Sequence, residues 1–152
     1  MILGACTETS TETAVTDTTD GPCDLLTVDT IDEITGWTLP EGTRVEEREQ
    51  DDWSYCNWED LDVGGSVQVQ WRRGDGRVSF EQRRAELEDS GLGDTRAVDI
   101  AGADAAYDVA DHGVVGVLVG VHFLQISAIG ASVDDRQHLE LAEAAASQVD
   151  RS

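Results

Sequence analysis

The stretch from Val114 to Ile129 constrains the fold of this chain more than any other feature of its sequence. If this stretch is extended, the residues on both of its faces are mostly apolar. The exceptions are Gly116, Gly120, His122, Gln125 and Ser127. Successive side chains of a strand point to opposite faces, so a strand that is apolar on both faces must be covered on both. We therefore predict a central strand, or two strands that meet near Gly120, in the middle of the core.

Strand periodicity recurs in two further regions of the chain. Residues 66–72 alternate strictly, which places one set of side chains toward the core and the glutamines toward water. Residues 96–100 and 103–109 predict a hairpin joined at Gly102. The side chains expected to point inward are Val67, Val69, Trp71, Val98, Ile100, Ala105, Tyr107 and Val109.

Two segments before the hairpin carry helix signals. The first begins at Thr27, a preferred N-cap residue, and ends at Gly36, which can adopt the left-handed conformation that closes a helix. In the second, Ser79 and Gln82 form a capping-box pattern, and Gly91 stands where the helix would stop. We predict a short helix followed by a longer one.

A third helix signal lies near the end of the chain, where Ser132 with Asp135 forms the predicted cap. The apolar stripe of this helix consists of Leu139, Ala142, Ala146 and Val149. The predicted order of elements is α-β-β-α-β-β-β-α. This order is typical of an α+β domain whose mostly antiparallel sheet is covered by helices.

The charge of the chain limits its partners. It has 32 acidic residues against 10 basic ones, all arginine, and a formal net charge of −22. Nucleic acid is excluded as a partner because phosphate binding requires clustered cations. Anionic lipid headgroups would repel the chain, and no apolar stretch approaches the roughly 20 residues of a membrane-spanning helix. Any contact with a membrane should therefore come from a covalent lipid.

Such a lipid site is predicted at Cys6, because Leu-Gly-Ala-Cys is typical of the cleavage site of a bacterial lipoprotein signal peptide. Residues 1–5 would be the remnant of that peptide, and the Cys6 thiol would carry a diacylglyceryl group. Residues 6–22 form a disordered tether rich in Thr, Glu and Asp, residues 23–149 a single α+β domain, and residues 150–152 a tail. The alternative for Cys6 is a cysteine without a role near a frayed terminus.

With Cys6 lipidated, Cys23 and Cys56 remain as an even pair in an oxidising compartment. A disulfide between them is the default interpretation, and it would tie the start of the first helix to a strand. The alternative is a two-thiol metal or redox site. Such a site needs a C-x-x-C motif or a matched histidine pair, and the sequence has neither.

A family resemblance rests on two elements of the sequence. Residues 22–27 read Pro-Cys-Asp-Leu-Leu-Thr, and after Gly36 the chain reads Cys-Asn-Trp at residues 56–58, before the alternating strand. Together they resemble the actinobacterial lipoproteins grouped as domain-of-unknown-function family 3558. The resemblance implies an envelope lipoprotein of unassigned biochemical role, somewhat like the extracellular sensor domains of actinobacterial kinases. It implies no catalytic residue.

Catalytic and metal-binding motifs are not evident in the sequence. The histidines His112, His122 and His138 have no spacing that names a metal site. We interpret His122 as a hydrogen-bonded core histidine, with a proton-linked sensor role as the alternative. The G-x-S-x-G elbow of an acyl-transfer enzyme is also missing around three serines that precede apolar or acidic residues, which are Ser66, Ser79 and Ser132.

The acidic clusters Asp51-Asp52, Glu59 to Asp62 and Asp134-Asp135 offer oxygen ligands but lack the spacing of a calcium loop. We interpret them as solvated surface, with a calcium site as the alternative.

Three aromatic residues lie close together around the second cysteine of the pair. Trp53 and Tyr55 share one strand face, and Trp58 follows on the other. Packing in the core and against the disulfide is the simpler interpretation, because large aromatic side chains dominate the buried area of small domains. The alternative is that they stack on a sugar ring or line a groove, which makes them the candidate ligand-binding residues.

The sequence therefore predicts a lipid-anchored protein on the outer face of the cell membrane that acts by noncovalent binding, as a sensor, chaperone or accessory module. Its partners are the membrane, through Cys6, and an unidentified envelope ligand or protein; no cofactor, metal or catalytic residue is expected. Two alternatives stay open. One is an envelope hydrolase that uses a pair of carboxylates, and the other is a purely structural or interaction module.

Overall fold

Three α-helices and seven β-strands form in the residues that the structure describes, which are 21–45, 53–60, 62, 64–91, 94–109, 112–130 and 133–149 of a computed structural model. The helices are α1 (Val28–Thr35), α2 (Gly76–Asp89) and α3 (Asp135–Ala146). The strands are β1 (Thr43–Arg44), β2 (Trp53–Asp60), β3 (Gly65–Arg73), β4 (Thr95–Ala97), β5 (Ala105–Val109), β6 (Val114–Val119) and β7 (His122–Ile129). The predicted lipid site at Cys6 and the tail at residues 150–152 lie outside the described residues.

The strands form one sheet in the order β1-β2-β3-β7-β6-β5-β4, and every neighbouring pair is antiparallel. The α+β class and the antiparallel sheet are therefore confirmed. Of the two alternatives for residues 114–129, the structure has two strands, which turn at Gly120 with φ 59°. The predicted order also lacked β1, a two-residue edge strand that is too short to show an alternating pattern.

Helices pack on both faces of the sheet. We call face A the side that carries Val67, Val69 and Trp71 of β3, and face B the side that carries the alternate residues of the same strand. Helices α1 and α3 pack on face A, where Ile31 and Leu141 are fully buried. Helix α2 packs on face B through a smaller cluster that consists of Phe80, Tyr107, Val109, Leu118 and Phe123.

The ends of α1 follow the prediction. The Thr27 hydroxyl oxygen accepts a hydrogen bond from the Thr30 backbone N–H at 3.0 Å, and Gly36 ends the helix with φ 80°. The cap of α3 differs from the prediction, because Asp134 accepts from the Gln137 N–H at 2.9 Å and Gln137 reciprocates. Ser132 lies outside the described residues.

The predicted capping box of α2 at Ser79 is wrong. The helix begins one turn earlier, at Gly76, and the Ser79 N–H donates to the Asp75 carbonyl within the first turn. The Gly76 N–H donates to the Val121 carbonyl at 2.9 Å, and a Cβ on Gly76 would lie 2.5 Å from that oxygen. Close contact with the β6–β7 turn thus sets the start of α2, and it requires glycine.

More residues of the predicted hairpin are buried than its alternating pattern indicates. Ala106 and Asp108 are buried as well as Tyr107 and Val109, because β5 is covered on both faces. The Asp108 carboxylate is 5% exposed and accepts two hydrogen bonds from the Arg96 guanidinium, at 2.8 and 2.7 Å. A paired arginine satisfies a carboxylate that would otherwise be costly to bury.

The disulfide between Cys23 and Cys56 is confirmed, with the two Cα atoms 5.1 Å apart. It joins the 3₁₀ turn Pro22–Asp24, just before α1, to the middle of β2. Cys56 is fully buried, whereas Cys23 is half-buried. The bridge fixes the strand that also carries Trp53 and Tyr55.

None of the helices in the described residues combines the length and the apolar character that crossing a membrane would require.

Candidate functional site

A groove of about 510 Å³ lies on face B between α2 and the adjoining parts of β2 and β3. Its lining combines aromatic, charged and amide side chains, which are Trp53, Tyr55, Arg72, Asp75, Val78, Ser79, Gln82, Arg83 and Glu86. The volume falls within the roughly 300–1,000 Å³ that is usual for small-ligand sites. This groove is the candidate functional site.

One side of the groove is a single face of α2. The lining positions of α2 recur every three or four residues along the helix, from Val78 to Glu86, as neighbours on one helix face do. The helix is held against the sheet by Phe80, whose ring lies 5.1 Å from Tyr107 and 6.0 Å from Phe123. A buried aromatic contact therefore sets the position of that side of the groove.

The aromatic side of the groove is formed by two residues of β2. The rings of Trp53 and Tyr55 are 6.4 Å apart and inclined by only 20°, and the Trp53 and Phe123 rings are nearly perpendicular, with their centroids 5.8 Å apart. The Arg72 guanidinium lies 5.8 Å from the Trp53 ring centroid. Trp58 is on the opposite face and is 1% exposed, so it belongs to the core. Each of the two interpretations of these aromatic residues therefore applies to a part of them: Trp58 packs in the core, whereas Trp53 and Tyr55 line a groove.

Amide side chains continue this surface across the sheet. The register places Tyr55 beside Gln70 and Gln70 beside Gln125, so these three residues form a row across β2, β3 and β7. A parallel row consists of Asn57, Gln68 and Ser127. The prediction that the β3 glutamines face water needs correction, because Gln68 and Gln70 are half-buried beside their neighbours in these rows.

Four side-chain atoms on this face are buried without a hydrogen-bond partner among the described residues; they are Gln70 Oε1, Gln125 Oε1, Tyr107 OH and Arg72 Nε. Gln125 is only 7% exposed. A buried polar atom left unpaired costs about 1–3 kcal/mol, so such a group calls for an explanation. A cluster of them next to a groove is what we expect of a site that a polar ligand completes.

The Tyr107 ring owes its position to a glycine. It lies across Gly116, where an added Cβ would be 2.3 Å from the ring. The hydroxyl is therefore brought over Gly116, which is the β6 partner of Gln125. Burial raises the pKa of this hydroxyl above its ordinary value, and the nearby Arg83 and Arg84 oppose the rise. Tyr107 is accordingly a neutral hydrogen-bond donor at neutral pH.

The charges that line the groove balance. Arg72 and Arg83 are matched by the exposed carboxylates of Asp75 and Glu86, although the whole chain carries −22. Arg83 pairs with Glu86 at 3.4 Å, whereas Arg72 has no carboxylate partner in the described part of the chain. The described lining of the groove is thus neutral on a strongly acidic protein.

The carboxylates of the groove do not have the geometry of a glycosidase pair. Asp75 precedes the first turn of α2 and Glu86 lies 11 positions later, which places them about 16 Å apart along the helix at about 1.5 Å per residue. Inverting and retaining glycosidases need about 5–9.5 Å between the two carboxyl groups. This pair therefore does not support the hydrolase alternative.

The histidines occupy other parts of the fold. His122 Nδ1 accepts a hydrogen bond from the Trp71 indole at 3.2 Å, which confirms that it is hydrogen-bonded, but it is half-buried rather than a core residue. His112 and His138 line a second cavity of about 430 Å³ with Asp134 and Asp135, and no spacing in the sequence indicated that these residues lie close together. His138 Nε2 lies 3.0 Å from the Ala128 carbonyl oxygen.

No group of three or more histidine, cysteine, aspartate and glutamate side chains among the described residues is placed to hold a metal ion. The acidic clusters have structural roles where the structure describes them. Asp134 caps α3, Asp135 lies 3.7 Å from Arg96, and the Asp60 carboxylate accepts from the Asp62 N–H at 2.8 Å. Asp51 and Asp52 lie outside the described residues.

A substitution at Gln125 tests whether its unpaired amide oxygen destabilises the protein in the absence of a ligand. We expect Gln125→Met to raise the free energy of unfolding by about 1–2 kcal/mol, because an unpaired buried acceptor is replaced by an apolar group of similar shape. Urea unfolding measures the change, with the exposed Gln148→Met as the matched control. A loss of stability at position 125 would show that the amide is satisfied in the folded protein.

No family model, curated protein or solved structure matches this chain. The likeness to family 3558 thus stays a prediction that rests on the two sequence elements around Cys23 and Cys56.

Proposed function

We propose that this chain is a lipid-anchored envelope protein that works outside the cytoplasm by binding a ligand noncovalently in the groove between α2 and β2. The observation that carries the proposal is the cluster of buried, unpartnered polar atoms beside the Trp53–Tyr55 pair. A free protein gains nothing from such atoms. A ligand with matching hydrogen-bonding groups would satisfy them.

The chemistry of the lining supports binding over catalysis. Its aromatic and amide groups recognise a ligand by shape and hydrogen bonds, and Tyr107 stays protonated at neutral pH. The two groove carboxylates are too far apart to act as a pair on one bond. Sensor, chaperone and accessory roles all begin with such a binding step.

The disulfide supports the proposed compartment. Bridges of this kind form and persist in oxidising surroundings such as the cell surface and are rare in the cytosol. The Leu-Gly-Ala-Cys element at residues 3–6 supports an anchor on the outer face of the membrane.

Sedimentation with cell envelope tests the proposal. The full, unlipidated chain with its disulfide formed is incubated with an envelope fraction of the producing organism and centrifuged. We expect saturable binding, and a reduction of affinity by about tenfold or more, equivalent to about 1.4 kcal/mol, in the double variant Trp53→Ala/Tyr55→Ala.

The control is Arg136→Ala, on α3 over the opposite face of the sheet, where the side chain is 86% exposed and groove binding should be unaffected. Thermal unfolding confirms that each variant is folded, and Tyr55→Ala alone serves if the double variant is not. Binding that is absent, or equal in the wild type and the groove variants, would contradict the proposal.

A further inference from the structure

The polar surface of face B extends beyond the groove. Helix α2 packs mainly on β6 and β7, and β2 and the neighbouring half of β3 lie at its side. The part of the sheet beside α2 carries five half-buried, uncharged polar side chains, and the buried Gln125 lies next to one of them, Gln70; the five are Asn57, Ser66, Gln68, Gln70 and Ser127. Together with Gln125, Trp53 and Tyr55 they form a continuous strip across three strands, which we call the amide strip.

The functional groups of the amide strip limit the chemistry of its ligand. Amide and hydroxyl side chains each donate and accept hydrogen bonds, so they suit a ligand whose groups also do both, as sugar hydroxyls do. The rings of Trp53 and Tyr55 are half-buried and line the groove, so they offer apolar area next to these groups, and the C–H face of a sugar ring matches such a surface. The strip thus combines an aromatic platform with a row of amides.

The unpartnered atoms indicate what the ligand must supply. Gln70 Oε1 and Gln125 Oε1 are acceptors, and they occupy adjacent positions in one cross-strand row. They need O–H or N–H donors from the ligand. Gln125, more than nine-tenths buried, lies at the inner end of this row, next to Gly116 and the Tyr107 hydroxyl.

Charge selects against polyanions. The described residues that line the groove carry as many arginines as carboxylates, and the rest of the chain would repel an acidic polymer. A polycation would be drawn to the acidic surface, but it would meet Arg72, which has no carboxylate partner among the described residues. A ligand without net charge is the best match.

We infer that the ligand is an uncharged glycan whose sugar rings stack on Trp53 and Tyr55 and whose hydroxyls bond the amide strip from Gln70 to Gln125. This inference rests on the proposed function and names the chemical class of its ligand. A peptide strand, which would also offer N–H donors, is the competing outcome.

The test uses three portions of the same envelope fraction: one mock-treated, one oxidised with periodate and then reduced with borohydride, and one digested with protease. Periodate cleaves the vicinal diols of sugar rings and leaves peptide bonds intact. We expect periodate to lower the groove-dependent binding by at least tenfold and protease to leave it within twofold. Groove-dependent binding is the difference between the wild type and Tyr55→Ala.

A second arm measures binding of purified probes by the change in tryptophan fluorescence, which should come from Trp53 because Trp37, Trp58 and Trp71 are buried. The probes are uncharged hexamers of glucose, mannose and N-acetylglucosamine, a hexamer of galacturonic acid and a neutral Gly-Ser hexapeptide. We expect an uncharged sugar to bind more tightly than the acidic sugar or the peptide, and Gln125→Met to weaken it at least fivefold.

The outcomes separate the two proposals. If the wild type binds envelope through the groove but protease abolishes that binding, or if periodate has no effect and none of the uncharged sugar hexamers binds, the glycan assignment is overturned and the binding function stands. Tightest binding of the peptide or of the acidic sugar also overturns it. If no groove-dependent binding to untreated envelope is found, the proposed function itself fails.

Discussion

Replacing Cys56 by serine should destabilise this protein more than any other single change that we consider. The bridge closes a loop with a sequence separation of 33 residues, and its loss returns to the unfolded chain an entropy worth about 3–4 kcal/mol in the loop-closure model. Cys56 is also fully buried, so the serine hydroxyl would add the cost of an unpaired polar group, about 1–3 kcal/mol. Most small domains have only about 5–15 kcal/mol in total.

The matched variant is Cys23→Ser, which opens the same loop at a half-buried position. It should cost about 3–4 kcal/mol and no more, so the two serine variants should differ in urea unfolding. The sequence alone predicts the same cost for both variants, because it does not reveal that Cys56 is fully buried and Cys23 only half-buried. Equal losses, or losses below about 1 kcal/mol, would contradict this account of the bridge.

The second large effect is expected at Gly116. A Cβ there would lie 2.3 Å from the ring of Tyr107, and that ring is fully buried under Phe80. We expect Gly116→Ala to cost about 1–3 kcal/mol by overpacking, because the added methyl group would displace a fully buried ring.

A double-mutant cycle checks this cause. Shortening the opposing side chain in Tyr107→Leu should cost stability on its own but should remove most of the additional cost of Gly116→Ala, so the two changes would be strongly non-additive. Additive losses in urea unfolding would show that Gly116 is needed for its backbone and not for the contact with Tyr107.

Local signals in the sequence predicted the parts of the fold that depend on local physics. Thr27 and Gly36 delimit α1 because capping is decided within a few residues, and the alternation of residues 66–72 fixes which face of β3 is buried. The start of α2 was missed because it depends on a distant contact, that of Gly76 with the Val121 carbonyl. The edge strand β1 was missed because two residues carry no pattern.

The candidate site could be anticipated only in part. Trp53 and Tyr55, two residues apart, signalled a shared strand face, but nothing in the sequence placed α2 opposite them. Gln70 and Gln125 are neighbours because of the register between β3 and β7. A shift of that register by one residue would place the two side chains on opposite faces of the sheet. Their unpaired oxygens are likewise visible only when the whole sheet is assembled.

The most direct test of the account is to observe where a ligand touches the protein. In a ¹H–¹⁵N NMR titration with envelope fragments made soluble by sonication, we expect the Trp53 indole N–H and the side-chain amides of Gln70 and Gln125 to shift. The indole signals of Trp58 and Trp71, which lie on face A, should stay in place. Shifts confined to face A, or no shift with soluble fragments that displace the protein from sedimented envelope, would contradict a binding site between α2 and β2.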